Sequence, residues 1–182
     1  NNLPNPPYNL VLIKTNAIGD TLWTKEYDGG NDEFVTDGIQ TNSGEFILVG
    51  ATNSFGAGDY DACVCKFDSN GNLLVYKTFG GVLGDAFSSI KPCNGGYIIS
   101  GITKNWGAGG DDIMLTKIDT NLNIIWSKTF GTSTDENGYV EVTSSGQFII
   151  EGRIGLTTSS IWDTYLIKAD SSGNLIWSKK YS

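Results

Sequence analysis

Four stretches of the chain are variants of one phrase: Asp20–Gly30 (DTLWTKEYDGG), Gly71–Gly81 (GNLLVYKTFGG), Leu122–Gly131 (LNIIWSKTFG) and Gly173–Tyr181 (GNLIWSKKY). Trp23, Val75, Trp126 and Trp177 fill the same slot, so successive copies lie 52, 51 and 51 residues apart. A unit that repeats near fifty residues and carries only strand-type segments is the pattern of β-propeller blades. Such a unit cannot bury its apolar faces alone, so it stacks on its neighbours.

Working outward from the phrase, each period holds three more strand-like pieces. Naming the four pieces A to D, the spacing predicts A over Val35–Thr41, Ala86–Pro92 and Gly138–Thr143, and B over Glu45–Thr52, Gly96–Thr103 and Gln147–Ile154. Piece C falls over Leu10–Thr15, Ala62–Phe67, Ile113–Ile118 and Thr164–Ala169, and the quoted phrase is D. Short turns rich in Ser, Asn and Gly join A to B, the chemistry of tight hairpins. Asp68-Ser69-Asn70-Gly71-Asn72 and its copies join C to D.

The reading is therefore an all-β chain, a β-propeller segment of four-stranded antiparallel blades numbering about three and a half, an incomplete ring or one completed by oligomerisation. Residues 1–7 (NNLPNPP) read as a linker, 8–30 as an outer half-blade made of C and D, and 31–81, 82–131 and 132–182 as blades. Strand A lines the axis and D the rim, where Lys25, Lys77, Lys128 and Lys179 discourage pairing of an exposed edge. Trp23, Trp126 and Trp177 are expected to dock between blades, and Val75 to leave the first complete blade less tightly packed.

Composition narrows the function. The net charge of −8 disfavours a phosphate backbone, so no nucleic acid partner is expected. With no histidine, the commonest general base and transition-metal ligand are missing. No apolar run reaches the ~18 residues of a membrane span, and no membrane insertion is expected. Cys63, Cys65 and Cys93 are odd in number, and the first two stand on one strand with poor geometry for a mutual bridge, so all three read as small buried hydrophobes.

The segments DSNGNLLVYKTFGG (Asp68–Gly81), GGYIISGITKNWGAGGDDIMLTKID (Gly95–Asp119) and SGNLIWSK (Ser172–Lys179) closely resemble the bacterial and archaeal cell-surface β-propeller repeats, the seven-bladed bacterial propeller type. The resemblance runs from Tyr8 to Ser182. It implies an exported, extracellular or cell-surface protein, modular and without a common activity. The C-to-D turn is also similar to that of quinoprotein dehydrogenase propellers, where the tryptophan docks between blades.

Candidate ligand-binding residues are Phe55, Trp106 and Trp162 with Asp59 and Asp111, on the connections between B and C. Aromatic rings beside carboxylates suit carbohydrate, and the same carboxylates suit calcium. Against this, Phe55 and Trp106 share one slot, as an aromatic tucked against the adjacent blade would, and Asp61, Asp112 and Asp163 read as turn formers. The Asp68-Ser69-Asn70-Gly71-Asn72 turn lacks the remaining ligands of a calcium loop, and no metal site or other cofactor is assigned. No catalytic residue is assigned either: no nucleophile elbow, phosphate loop or zinc signature is present.

The expected function is a structural or interaction module without catalysis, partnered by copies of itself, other protein subunits or surface polymers. The alternatives are a carbohydrate-binding module and a fragment of a propeller hydrolase or quinoprotein. Association is expected through Tyr8, Leu10, Leu12 and Leu22 on the half-blade and through Tyr165, Ile167 and Trp177 on the last blade.

Overall fold

The structure is a computed structural model describing residues 7–156 and 161–182; of the linker, only the exposed Pro7 is included. It holds fourteen strands and, among the described residues, no helix. They are β1 (Leu10–Thr15), β2 (Thr21–Tyr27), β3 (Glu33–Gln40), β4 (Phe46–Thr52), β5 (Asp61–Phe67), β6 (Leu73–Phe79), β7 (Asp85–Cys93), β8 (Gly96–Thr103), β9 (Asp112–Ile118), β10 (Ile124–Phe130), β11 (Asp135–Val142), β12 (Phe148–Leu156), β13 (Ile161–Ala169) and β14 (Leu175–Tyr181). Three antiparallel sheets of four strands follow chain order, β3 to β6, β7 to β10 and β11 to β14, and β1 pairs with β2 alone. This is a β-propeller segment of three blades and a half-blade.

Every C-to-D turn is closed by one side chain. Asp68, Asp119 and Asp170 each accept backbone N–H bonds at 2.8–2.9 Å from the second and fourth residues onward, and Asn16 does so with its amide oxygen in the first copy, at 3.0 and 2.9 Å. The local chemistry that ends C thus also starts D, and a register shift in each C–D pair sits beside the turn.

The apolar core lies in the seams between sheets. Leu10, Leu12 and Tyr27 of the half-blade meet Cys63, Cys65 and Phe67 of the first blade. Ala62, Val64 and Phe79 meet Met114 and Ile118, and Ile113, Leu115 and Phe130 meet Tyr165, Ile167 and Ala169. Strand alternation therefore gives each C strand one set of side chains for the preceding blade and the other for the next. Hydroxyls reinforce the inner seams: Thr36 donates to the Phe87 carbonyl at 2.8 Å, and Ser100 to that of Gly138 at 2.9 Å.

This alternation corrects the expected open faces. Leu10, Tyr165 and Ile167 are buried inside seams, whereas Val11, Ile13 and Leu22 are exposed on the half-blade. On the last blade the open flank carries the partly buried Leu166 and Trp177 and the exposed Tyr181.

The tryptophan slot also meets a defined partner. A Cβ at Gly71 would lie 2.7 Å from the Trp23 ring, and one at Gly173 would lie 2.7 Å from that of Trp126, which also packs on Phe148 at 6.0 Å between centroids. Both glycines have positive φ (77° and 78°) in the turn of the following blade. Where Val75 replaces the tryptophan, that turn carries Leu122, fully buried in the same cluster. The first blade is therefore not loosely packed there; a leucine takes the room of the missing indole.

Candidate functional site

On the face where B leads to C and D leads to A, five carboxylates are almost completely buried: Glu33, Asp61, Asp85, Asp112 and Glu136. Burial of a charge requires hydrogen-bonded compensation, and each has it on at least one oxygen, the Oδ1 of Asp85 being buried with no hydrogen-bond partner among the described residues. Asp61 accepts from the Ala57 and Gly58 N–H groups at 3.0 and 3.2 Å, and Asp112 from Ala108 and Gly109 at 3.1 and 3.2 Å. Asp85 accepts from Gly81 N–H at 2.9 Å and the Asn105 amide at 2.6 Å. Glu136 accepts from Thr132 N–H at 3.1 Å and from the Thr132 and Thr134 hydroxyls at 2.6 and 2.8 Å. Glu33 accepts from Gly29 N–H at 3.2 Å and from the Ser54 hydroxyl.

These groups anchor loops. Asp61 and Asp112 behave as the expected turn formers, but Asp163 lies within β13 and pairs with Lys180 at 2.7 Å, which holds its carboxyl below the usual range. Asp61 and Asp85 flank Gly80, and Asp112 and Glu136 flank Gly131. Any side chain at either glycine would displace them. Among the described residues no set of three or more His, Cys, Asp or Glu is arranged to hold a metal ion.

At the outer end of two seams, open cavities form from equivalent repeat positions. The first, 430 Å³, lies between the half-blade and the first blade and is lined by Tyr27, Asp28, Glu33, Phe55, Leu73 and Tyr76 among others. The second, 620 Å³, lies between the first two blades and is lined by Thr78, Phe79, Gly80, Trp106, Met114, Thr116, Ile124, Ser127 and Thr129. Both volumes fall in the ~300–1,000 Å³ range of small-molecule sites. Phe55 and Trp106 hold the same place in each and are 50% and 52% exposed, so the expectation that this slot is tucked against the adjacent blade is corrected. Phe55 instead packs edge-on against Tyr76 of its own blade, 5.3 Å between centroids.

The other candidate residues lie elsewhere. Trp162 is within β13 opposite Gly155, at the repeat position of Tyr60 and Asp111, so it forms no row with Phe55 and Trp106; 157–160 of its connection lie outside the described residues. Asp59 is exposed beside a separate groove with Phe34, Tyr60 and Lys104. Asp111 pairs with Lys104 at 3.6 Å, and its carbonyl accepts the Glu136 N–H at 2.6 Å, fastening the second blade to the third. Nothing in the sequence spacing marks Tyr76 and Ser127, which hold the same repeat position in the two cavities and differ in size.

No family model matches the chain, and no curated protein matches it. A solved structure described as the crystal structure of the eukaryotic initiation factor aligns with 96% of the chain at 14% identity and a TM-score of 0.49. The chain spans 43% of that structure's length.

Proposed function

We propose that this chain is a non-catalytic β-propeller module, exported to the cell surface like the repeats it resembles, which works by docking its open blade faces onto another copy of itself or onto sibling blades. The observation that supports this reading is complementarity between the two open faces. Each internal seam joins a face bearing the D-strand aromatic, Lys and Trp or Val slots to a face bearing two apolar C-strand residues and a C-to-D turn. The last blade presents the first kind of face, with Leu166, Trp177, Lys179 and Tyr181. The half-blade presents the second, with Val11 and Ile13 at the positions of Cys63 and Cys65, and with Gly19 (φ 90°) having open space where a Cβ would stand. They are the two halves of one joint.

Each large apolar side chain taken from water contributes about 1.5–3 kcal/mol, so such a joint favours head-to-tail association. Repeating it gives a ring or a filament. Sedimentation across protein concentration tests this: wild type should associate, and Trp177→Ala and Ile13→Asp should each remain monomeric with melting temperatures close to wild type. A wild-type chain that stays monomeric throughout would overturn self-docking. For the hydrolase or quinoprotein alternative, the facing carboxylates offer no support, since they are buried and committed to loop N–H groups.

A further inference from the structure

We infer that the 620 Å³ cavity beneath Trp106, between the first and second blades, is a binding site for a neutral sugar ring. The inference rests on a comparison internal to the chain. In the equivalent cavity, the ring of Tyr76 fills the space next to Phe55. In the second blade the same repeat position is Ser127, and the volume rises from 430 to 620 Å³. The substitution removes a phenol ring and leaves the indole of Trp106 beside an open chamber.

The lining selects the ligand. None of the nine residues is charged, so an anion or cation entering the chamber would lose water without gaining a partner. The wall sets the apolar side chains of Phe79, Trp106, Met114 and Ile124 among the hydroxyls of Thr116, Ser127 and Thr129, with Thr129 paired opposite Met114. Thr116, itself buried, bonds to Ser127 at 2.9 Å, and the exposed Ser127 hydroxyl can still serve a ligand oxygen, because a hydroxyl both donates and accepts. A pyranose suits such a mixed wall, with C–H faces for the Trp106 ring and hydroxyls for the exposed Ser127 and Thr129. A wholly apolar ligand would leave the hydroxyls unpaired, at a cost. The first cavity differs in chemistry as well as size, since Asp28 and Glu33 contribute to its wall.

The site is independent of end-to-end docking, because its walls belong to an internal seam. The test is a titration of the intact chain with D-glucose, D-galactose, D-mannose and N-acetyl-D-glucosamine, read by the tryptophan indole signals in heteronuclear NMR and assigned with Trp106→Phe. At least one sugar should shift the Trp106 signal saturably in the millimolar range while Trp23 and Trp177 stay unmoved. Ser127→Tyr, which installs the residue already accommodated at position 76, should weaken binding by at least about tenfold, and so should Trp106→Ala. Asp59→Asn should leave it unchanged. Melting curves establish that each variant is folded, with Ser127→Tyr as the informative one if Trp106→Ala is not. No saturable response to any of the four sugars, or full binding in folded Ser127→Tyr, would overturn the inference, as would saturable binding of indole with no response to sugar.

Discussion

The indole of Trp126 rests on Gly173 across the seam between the second and third blades, with 2.7 Å between its outer ring atoms and the place a Cβ would occupy. The same relation joins Trp23 to Gly71. Contact is so close that the glycine is required twice, once for the room and once for its φ of 78°, which a side chain resists.

Gly173→Ala should therefore destabilise the protein more than the same change at Gly146, which has a comparable φ of 75° but open space around it. The Gly146 variant reads the backbone cost alone, about 1–2 kcal/mol. The Gly173 variant adds displacement of the indole, and overpacking of this kind costs about 1–3 kcal/mol. Thermal melts of the two variants separate the contributions, and equal losses would mean that the indole moves freely.

Trp126→Ala should cost about 2 kcal/mol, below the ~3–5 kcal/mol of a fully buried tryptophan, because Trp126 keeps part of its surface in water. Trp177→Ala in the monomer should cost less, since no turn faces it among the described residues. Denaturant titration at low protein concentration checks the order.

How far the sequence could be read is clear from these residues. The phrase containing Trp126 carries its own period, and strand alternation with turn chemistry located all fourteen strands to within a few residues. Alternation fixes that Leu10 and Val11 face opposite ways but not which way the next blade lies, so the expected C-strand residues Leu10, Tyr165 and Ile167 have the wrong parity for the open faces, whereas Leu22 and Trp177 do lie on them. Phe55 and Trp106 can be matched by spacing, yet spacing does not say that both stand half out in solvent, nor that Phe55 packs on Tyr76 where Trp106 has Ser127 at the same repeat position. Asp59 and Asp111 are near them in sequence and part from them in space because the loop turns toward the inner strands.

Acid should weaken the C-to-D turns. Backbone N–H bonds from Asn72, Asn123 and Asn174, then the amides of the same residues, hold the Asp68, Asp119 and Asp170 carboxyls below the usual range. A depressed folded-state pKa makes the ionised form the stabilising one, so the contribution is full above the unfolded value of about 3.9 and is lost as pH falls through the folded one. Asp119→Asn keeps the turn geometry, as Asn16 demonstrates, while removing the charge and its attraction to Lys77. The variant should melt below wild type at neutral pH and together with it near pH 2.

The thiols should differ in reactivity. Cys63 and Cys65 are buried in the first seam, and hydrogen bonding to Cys63 together with burial pushes the Cys65 thiol up. Cys93 is only half-buried, with its thiol raised by burial, and it borders an open groove. An aromatic disulfide reagent at pH 8 should slowly modify one thiol in the folded protein, lost in Cys93→Ser, and all three on denaturation.

The most searching experiment exchanges one seam's packing for another's. Val75→Trp alone should be destabilising, because Leu122 already occupies the chamber the indole needs and overpacking costs about 1–3 kcal/mol. Leu122→Gly alone removes a fully buried side chain, a loss of about 2–5 kcal/mol, partly offset because glycine relieves the φ of 63° that leucine adopts there. Together they recreate the pair found at Trp23 with Gly71 and Trp126 with Gly173, so the double variant should recover much of the summed loss. A double-mutant cycle by urea unfolding reads this as a favourable coupling, on the order of 1–3 kcal/mol. Additive losses would mean that each seam is set by its wider surroundings rather than by this pair of positions.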